Sequence, residues 1–401
     1  MADGNQATRE INDGTEENLT TQFAGLKDQV PVLGYRNYWY PAIPAGKLGK
    51  NPQHIKLLGD DVVLFRDLTS RTTYAMADSC PHRNASLSEG NIFFPGTLSC
   101  PYHGWTFDTE GNLVAVLTEG PDCPIVGKVR QRTYPVREFR GFIWIWMGDG
   151  EPVPLEEDLP PEISDPANTL FSTIEIWNAN WRPVTENTDG YHAPILHYNA
   201  MPRVLFMSWV AWRRTTYVET EDKLGLTFVE IGSEDETHYP GLGGWPEYPA
   251  WKMFAKKLFR AKTARGRPIN LPNGKTGRIT EDIHLPGWRR VRVRVHTVLI
   301  LWAVPIDQHT TRHFLWDAVL PDPNRSPIGH AVEKLRLVIF RYLVYPTWWR
   351  WAYNKRYVGQ DRKVLESLYD GDEYLQGNDS GIIAWRRLSA RARKGQDNAT
   401  G

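Results

Sequence analysis

The sequence predicts an α+β protein: an N-terminal all-β domain, then a larger domain in which an antiparallel sheet is covered by helices. Three observations carry this expectation. From Tyr35 to Trp146 the chain breaks into short apolar runs, His54 to Leu58, Val62 to Phe65, Thr73 to Met76 and Phe142 to Trp146, parted by Gly, Asp and Asn. That is the pattern of short antiparallel strands. Gly148 to Pro166 then carries five prolines and a cluster of acids, which interrupt strand and helix alike and mark a boundary. Beyond it, Leu170 to Trp177, Val204 to Trp212, Arg214 to Glu219, Leu224 to Ile231, Arg289 to Val304 and His313 to Leu320 read as strands. Asn180 to His197, Ala331 to Phe340, Arg356 to Tyr369 and Ile382 to Arg393 show helical spacing, and Lys256 to Lys275 reads as an exposed loop. The 401 residues thus divide into a tail (1–30), a β domain (31–150), a larger domain (151–395) and a short C-terminal tail (396–401).

Composition narrows the function. Basic and acidic side chains balance at 47 each, so no overall field attracts a polyanion and nucleic acid is not an expected partner. Three cysteines, Cys80, Cys100 and Cys123, are too few and too odd for a disulfide framework. A reducing cytoplasm is expected, and there paired cysteines more often bind metal. Residues 1–31 lack the charged-then-apolar pattern of a secretory signal. The most apolar stretches, Val295 to Ile306 and Leu335 to Tyr353, are too short to span a bilayer or are interrupted by Arg336, Arg341, Pro346 and Arg350. No membrane partner is expected.

The sharpest local signal is Cys80-Pro81-His82, seventeen residues, then Cys100-Pro101-Tyr102-His103. Each half offers one thiolate and one imidazole. Structural zinc turns usually pair Cys with Cys, whereas a Rieske [2Fe–2S] centre needs this mixture, two thiolates on one iron and two imidazoles on the other. A structural zinc, or ordinary buried cysteines beside polar histidines, are the alternatives. Cys123 has no companion at ligand spacing and reads as a packed thiol.

Downstream, Asp189-Gly190-Tyr191-His192 is followed four residues later by His197. On a straight helix residues five apart are rotated by roughly 140°, so the two rings converge only across a distortion, and Pro194 lies between them. Asp189 is placed to accept the spare ring N–H of a ligating histidine. Two histidines and a carboxylate from elsewhere leave open positions on iron(II), the arrangement used with dioxygen. Alone, the pair reads as polar helix histidines. Beside a centre that only moves single electrons, it reads as the place where those electrons do chemistry.

These residues resemble the terminal oxygenase subunit of the Rieske non-haem iron, ring-hydroxylating oxygenases, most closely the carbazole dioxygenase type. Besides the two metal motifs, the likeness rests on Leu33 to Pro41, Lys56 to Gly59, Asn180-Trp181-Arg182 and Ala384 to Leu388, and it extends from Leu33 to Ala392. The resemblance implies a helix-grip-like catalytic domain. It implies Cys80, His82, Cys100 and His103 as cluster ligands, and His192, His197 and Asp361 as ligands of a mononuclear Fe(II). For Asp361 a solvated helix acid is the alternative. It also implies that Asp189 links the mononuclear iron to the cluster of a neighbouring subunit in a homotrimer. Asn187 stands two residues before Asp189 where related sequences carry an Asn three or four before, so no role at iron transfers to it.

The implied activity is hydroxylation, in the first reading dihydroxylation, of an aromatic or heteroaromatic compound with O2. A monooxygenase or demethylase and a Rieske electron carrier are the competing readings. No Gly-x-Gly-x-x-Gly set lies between a strand and a helix, and Gly241-Leu242-Gly243-Gly244 reads as a loop. Electrons are therefore expected from a ferredoxin and an NAD(P)H-dependent ferredoxin reductase, with Lys128, Arg130 and Arg132 as a candidate docking patch. Pocket walls are expected from the sheet and the helix before Asp361, with Trp316 and Tyr357 as candidates.

Overall fold

The computed structural model describes residues 25–187, 192–197, 214–232, 238–239, 243–244, 268–271, 276–294, 296–322, 324, 326–368, 371, 373–375 and 379–393. The chain forms two compact units. One comprises Pro31–Pro166, Val304–Thr311 and the residues from Arg393; the other comprises the residues up to Val30, Ala167–Ala303 and Arg312–Ala392.

The first unit holds ten strands: β1 (Trp39–Pro44), β2 (Gln53–Leu57), β3 (Asp60–Arg66), β4 (Thr73–Ala77), β5 (Thr97–Ser99), β6 (Trp105–Asp108), β7 (Leu113–Val116), β8 (Thr133–Tyr134), β9 (Val136–Phe139) and β10 (Phe142–Trp146). They form three small antiparallel sheets, β1-β10-β9, β2-β3-β4-β8 and β5-β6-β7. One core cluster gathers Val63, Phe65, Met76, Leu98, Trp105, Phe107 and Val116 around Cys80, Cys100 and Cys123. Every residue of β10 is buried, which its unbroken apolar run requires.

The proline-rich stretch does not lie between domains as a bare linker. It forms two single turns, α1 (Leu155–Asp158) and α2 (Pro161–Ser164), and Pro161 occupies the first helical position, where its missing N–H costs nothing. The buried Asp158 carboxylate accepts the Trp39 backbone N–H at 2.9 Å and Arg393 Nη1 at 2.6 Å, and Trp39 Nε1 donates to the Val153 carbonyl at 2.7 Å. These contacts carry the unit on to Pro166, past the expected boundary at 150.

The second unit contains β11 (Thr169–Trp177), β12 (Arg214–Glu219), β13 (Gly225–Gly232), β14 (His238–Tyr239), β15 (Gly243–Gly244), β16 (Pro268–Asn270), β17 (Thr276–His284), β18 (Trp288–Arg294) and most of β19 (Thr297–Pro305) and β20 (Thr311–Val319). An eight-stranded sheet runs β11-β20-β19-β18-β17-β13-β12, with β16 against β17. Arg289 to Val304, which reads as one strand in the sequence, is a hairpin of β18 and β19. Gly243–Gly244 pairs with His238–Tyr239 instead of forming a loop. Val204 to Trp212 and most of Lys256 to Lys275 lie outside the described residues, though Pro268–Asn270 of the latter is a strand.

The helices are α3 (Trp181–Glu186), α4 (Ala193–Leu196), α5 (Pro327–Ile339), a π-helix (Phe340–Val358), α6 (Gly359–Leu365) and α7 (Ser380–Leu388). Asn180 caps α3 by accepting the Arg182 N–H, and Ser326 caps α5 by accepting that of Gly329, with Pro327 opening the helix. Trp181 is fully buried against Gly287, where a Cβ would lie 3.0 Å from its ring. Strand alternation divides β20: His313, Leu315 and Asp317 share one face, Phe314, Trp316 and Ala318 the other. Among the described residues no helix is long and apolar enough to cross a membrane.

Candidate metal centres

Cys80 follows β4 and Cys100 follows β5, and the two turns repeat one backbone scheme. In each the cysteine N–H donates to the carbonyl five residues on, Ala85 at 2.8 Å and Trp105 at 2.7 Å. The N–H of the fourth residue, Asn84 or Gly104, returns to the cysteine carbonyl at 2.8 and 3.2 Å. That residue is left-handed both times, Asn84 at φ 59° and Gly104 at φ 65°. A Cβ on Gly104 would also stand 2.7 Å from the Leu117 Cβ.

The sulfurs of Cys80 and Cys100 are neighbours in the core. Burial pushes the Cys80 thiol up to about 11, Cys100 beside it adds to the rise, and the backbone N–H groups of His82 and Arg83 oppose it. The His82 and His103 rings meet edge to face at 4.7 Å, and His82 stacks on Trp105 at 4.9 Å. His103 Nδ1 is buried with no hydrogen-bond partner among the described residues. Two buried sulfurs side by side and an orphaned imidazole nitrogen are a donor set for a cation.

The second centre is tighter. His192, His197 and Asp361 each offer a ligand atom within 4.8 Å of the others, the one such group among the described residues. His192 Nε2 lies 3.0 Å from Asp361 Oδ1 and His197 Nε2 lies 3.4 Å from Oδ2. The histidines do not share a helix. They flank the single turn α4, whose first N–H bonds return to the His192 carbonyl, so the splay of a longer helix never arises. Pro194 sits in that first turn, where no donor is needed.

Neighbours orient two of the three ligands. His197 Nδ1 stands 2.9 Å from Gln360 Oε1, which holds the ring proton on Nδ1 and leaves Nε2 free to ligate. Tyr357 stacks on the same ring at 3.9 Å. Asn187 Nδ2 donates to Asp361 Oδ1 at 3.1 Å. Burial works to raise the Asp361 carboxyl, but the hydrogen bonds and charges of His192 and His197 outweigh it and hold the group well below the usual range. Behind the site His313 stacks on Trp177 at 4.2 Å; burial and the Arg289 charge push its pKa down to about 3, with Asp361 opposing, so it is neutral at physiological pH.

With these donor sets in view, the comparisons with known proteins decide the family. The Rieske [2Fe–2S] domain pattern matches residues 38–135 and the homotrimeric ring hydroxylase pattern residues 146–202. The chain is 37% identical over 386 residues to the terminal oxygenase component of carbazole 1,9a-dioxygenase from a Sphingomonas species, covering 92% of this chain and 94% of that protein. The chain belongs to the Rieske ring-hydroxylating oxygenases. The counterpart from Metapseudomonas resinovorans is 33% identical over 385 residues, 90% of this chain and 92% of that protein. The fold agrees with the oxygenase in a reduced oxygenase–ferredoxin complex of carbazole 1,9a-dioxygenase, at TM-score 0.68 and 23% identity over 96% of both chains.

As a member of that family the protein is an oxygenase with a Rieske [2Fe–2S] cluster and a mononuclear iron, and both donor sets fit. Asp189 lies outside the described residues. Tyr357 stands against an iron-site histidine, but Trp316 does not face it: three residues from His313 along β20, it turns to the opposite face of the sheet. Of the candidate docking residues, Arg132 is tied to Asp149 at 3.0 Å and Arg130 Nε to the Glu110 carbonyl at 3.2 Å. Sequence reasoning missed Gln360 and His313. A glutamine beside a carboxylate carries no signal of its own, and His313 has no partner at ligand spacing.

Proposed function

We propose that the protein is the terminal oxygenase of a multicomponent system that uses O2 and electrons from NAD(P)H, passed through a ferredoxin reductase and a ferredoxin, to dihydroxylate an aromatic or heteroaromatic ring. The observation that carries this reading is the convergence of His192, His197 and Asp361 in a chain that also holds the paired Cys–His turns. Cys80 and Cys100 would hold one cluster iron, His82 and His103 the other, and His192, His197 and Asp361 the mononuclear iron. When bound, these groups supply single electrons and a site for dioxygen.

The chain's own residues do the positioning. Gln360 keeps the proton on His197 Nδ1, Asn187 orients the Asp361 carboxylate, and Tyr357 stacks on the His197 ring. Asp189 would join the mononuclear iron to the cluster of an adjacent subunit in a homotrimer, as the ring-hydroxylase match supports. The relatives' role in carbazole oxidation supports a polycyclic aromatic substrate and a place in aromatic catabolism, which we assign to the cytoplasm.

The test combines metal content with product analysis. His192→Ala should keep the brown cluster spectrum and lose ring hydroxylation in a system reconstituted with ferredoxin and reductase. Two labelled oxygen atoms from O2 should enter the wild-type product. Hydroxylation retained by His192→Ala, or a colourless zinc protein, would overturn the reading.

A further inference from the structure

The segment running into α6, from Pro327 to Val358, has an outer face that the described residues leave bare. No residue of α5 is buried. At roughly 100° per residue, Ile328, Val332, Leu335 and Ile339 fall within about 60° of arc. They are 78%, 43%, 61% and 48% exposed, and Tyr342 and Leu343 extend the apolar face into the π-helix. A helix at a water-facing surface puts charged side chains there instead.

The other side of the segment is docked. Phe340 packs edge-on to Phe171 at 5.0 Å, Arg341 Nη2 donates to the Leu170 carbonyl at 3.3 Å, and the Tyr345 hydroxyl pairs with Thr173 Oγ1 at 2.9 Å. Trp349 Nε1 donates to Asp317 Oδ2 at 3.3 Å. The bare stripe therefore belongs to an anchored element and not to a fraying one.

Charge says what covers it. Besides Arg341, which turns to the Leu170 carbonyl, Pro327 to Val358 carries five Lys and Arg, Lys334, Arg336, Arg350, Lys355 and Arg356, against the single acid Glu333. A two-fold contact through the same segment would set like charges together, and a neighbour in a trimer would have to present an acidic face to it. An apolar stripe beside basic side chains, rich in Trp and Tyr, is the composition of a helix lying in a bilayer interface, with basic heads reaching up to anionic headgroups. We propose that the outer face of Pro327–Val358 seats on an anionic lipid bilayer, so that the protein lies on a membrane without crossing it. This goes beyond the oxygenase reading and does not depend on it.

The experiment is co-sedimentation of the full-length holoprotein with phosphatidylcholine vesicles with and without phosphatidylglycerol, with cluster absorption and circular dichroism as the check on folding. Wild type should partition onto the anionic vesicles and release with salt. Replacing both exposed residues in the Leu335→Glu, Ile339→Glu variant should lower partitioning by roughly tenfold or more. Lys334→Gln with Arg336→Gln leaves the apolar stripe intact and should cost roughly fivefold per charge on anionic vesicles only. Wild type that stays in solution with both vesicle types overturns the proposal. So do stripe variants that bind vesicles as wild type does, or that alter subunit mass in light scattering in place of vesicle binding, since the face is then a subunit contact.

Discussion

Gln360→Leu tests whether the mononuclear site depends on a residue that touches no metal. His197 is 1% exposed, and its Nδ1 proton has Gln360 Oε1 as its acceptor at 2.9 Å. Leucine fills similar space and removes that acceptor. The ring then either keeps a buried N–H without a partner, at about 1–3 kcal/mol, or moves its proton to Nε2 and ceases to be a ligand. Both routes weaken iron binding, and roughly 10- to 100-fold is expected, about 1.4–2.7 kcal/mol. Anaerobic titration of ferrous ion against a chromophoric chelator measures this directly, and the cluster's visible spectrum should not change because its ligands lie on other turns. Gln360→Glu keeps an acceptor, now charged, and should retain or tighten binding. Iron affinity unchanged in Gln360→Leu but lowered in His192→Ala would refute the reasoning.

Two further outcomes follow from buried charge. Arg386 is 2% exposed and holds Glu186 through Nε and Nη2, both at 2.8 Å, and Glu373 through Nη1 at 2.6 Å. Arg386→Met strands the mostly buried Glu186 carboxylate and should destabilise the protein by about 3 kcal/mol, read as a lowered urea midpoint; an unchanged midpoint counts against the clamp. Burial raises the Asp317 carboxyl to about 7 against the hydrogen bond from Trp349, so the folded chain keeps a proton that the unfolded chain releases near 3.8. Stability present below that lower value is lost as pH rises toward 7, by about 4 kcal/mol at most. Asp317→Asn should flatten the difference between urea midpoints at about pH 5 and about pH 8; parallel pH profiles for the two proteins would show that Asp317 titrates normally.

Some of the molecule is legible in contiguous sequence and some is not. The cluster turns are, because Cys80-x-His82 and Cys100-x-x-His103 each lie within one turn, where spacing determines geometry. The helical stretch expected from Asn180 does begin there, with Asn180 as the cap of α3. Asp361 is different. Nothing local distinguishes it from other late acids, and it entered through family likeness; the structure brings it to His192 and His197 by packing α6 against α4 and the segment after α3. Trp316 shows a missed inference. Its strand is legible in the sequence, and the odd separation from His313 places the two on opposite faces. The two histidines converge without a kinked long helix, because a four-residue turn separates them.

Asn187 shows why such a site resists reading from motifs alone. Its spacing from Asp189 departs from related sequences, yet its amide reaches the Asp361 carboxylate. What places it is charge held at a distance in sequence. Arg386 on α7 grips Glu186, the residue before it, and Arg289 on β18 donates to the Asn187 carbonyl while pairing with Glu281 at 3.3 Å. Two arginines from separate elements thus pin the end of α3, and the end of α3 orients the iron-site carboxylate. Buried ion pairs of this kind contribute little net stability compared with apolar packing, so their place here is better explained by the precision they impose on one amide. Arg386→Met should therefore weaken ferrous ion binding even under conditions where the chain stays folded. Destabilisation with unaltered iron affinity would mean that Asn187 is positioned by Arg289 alone.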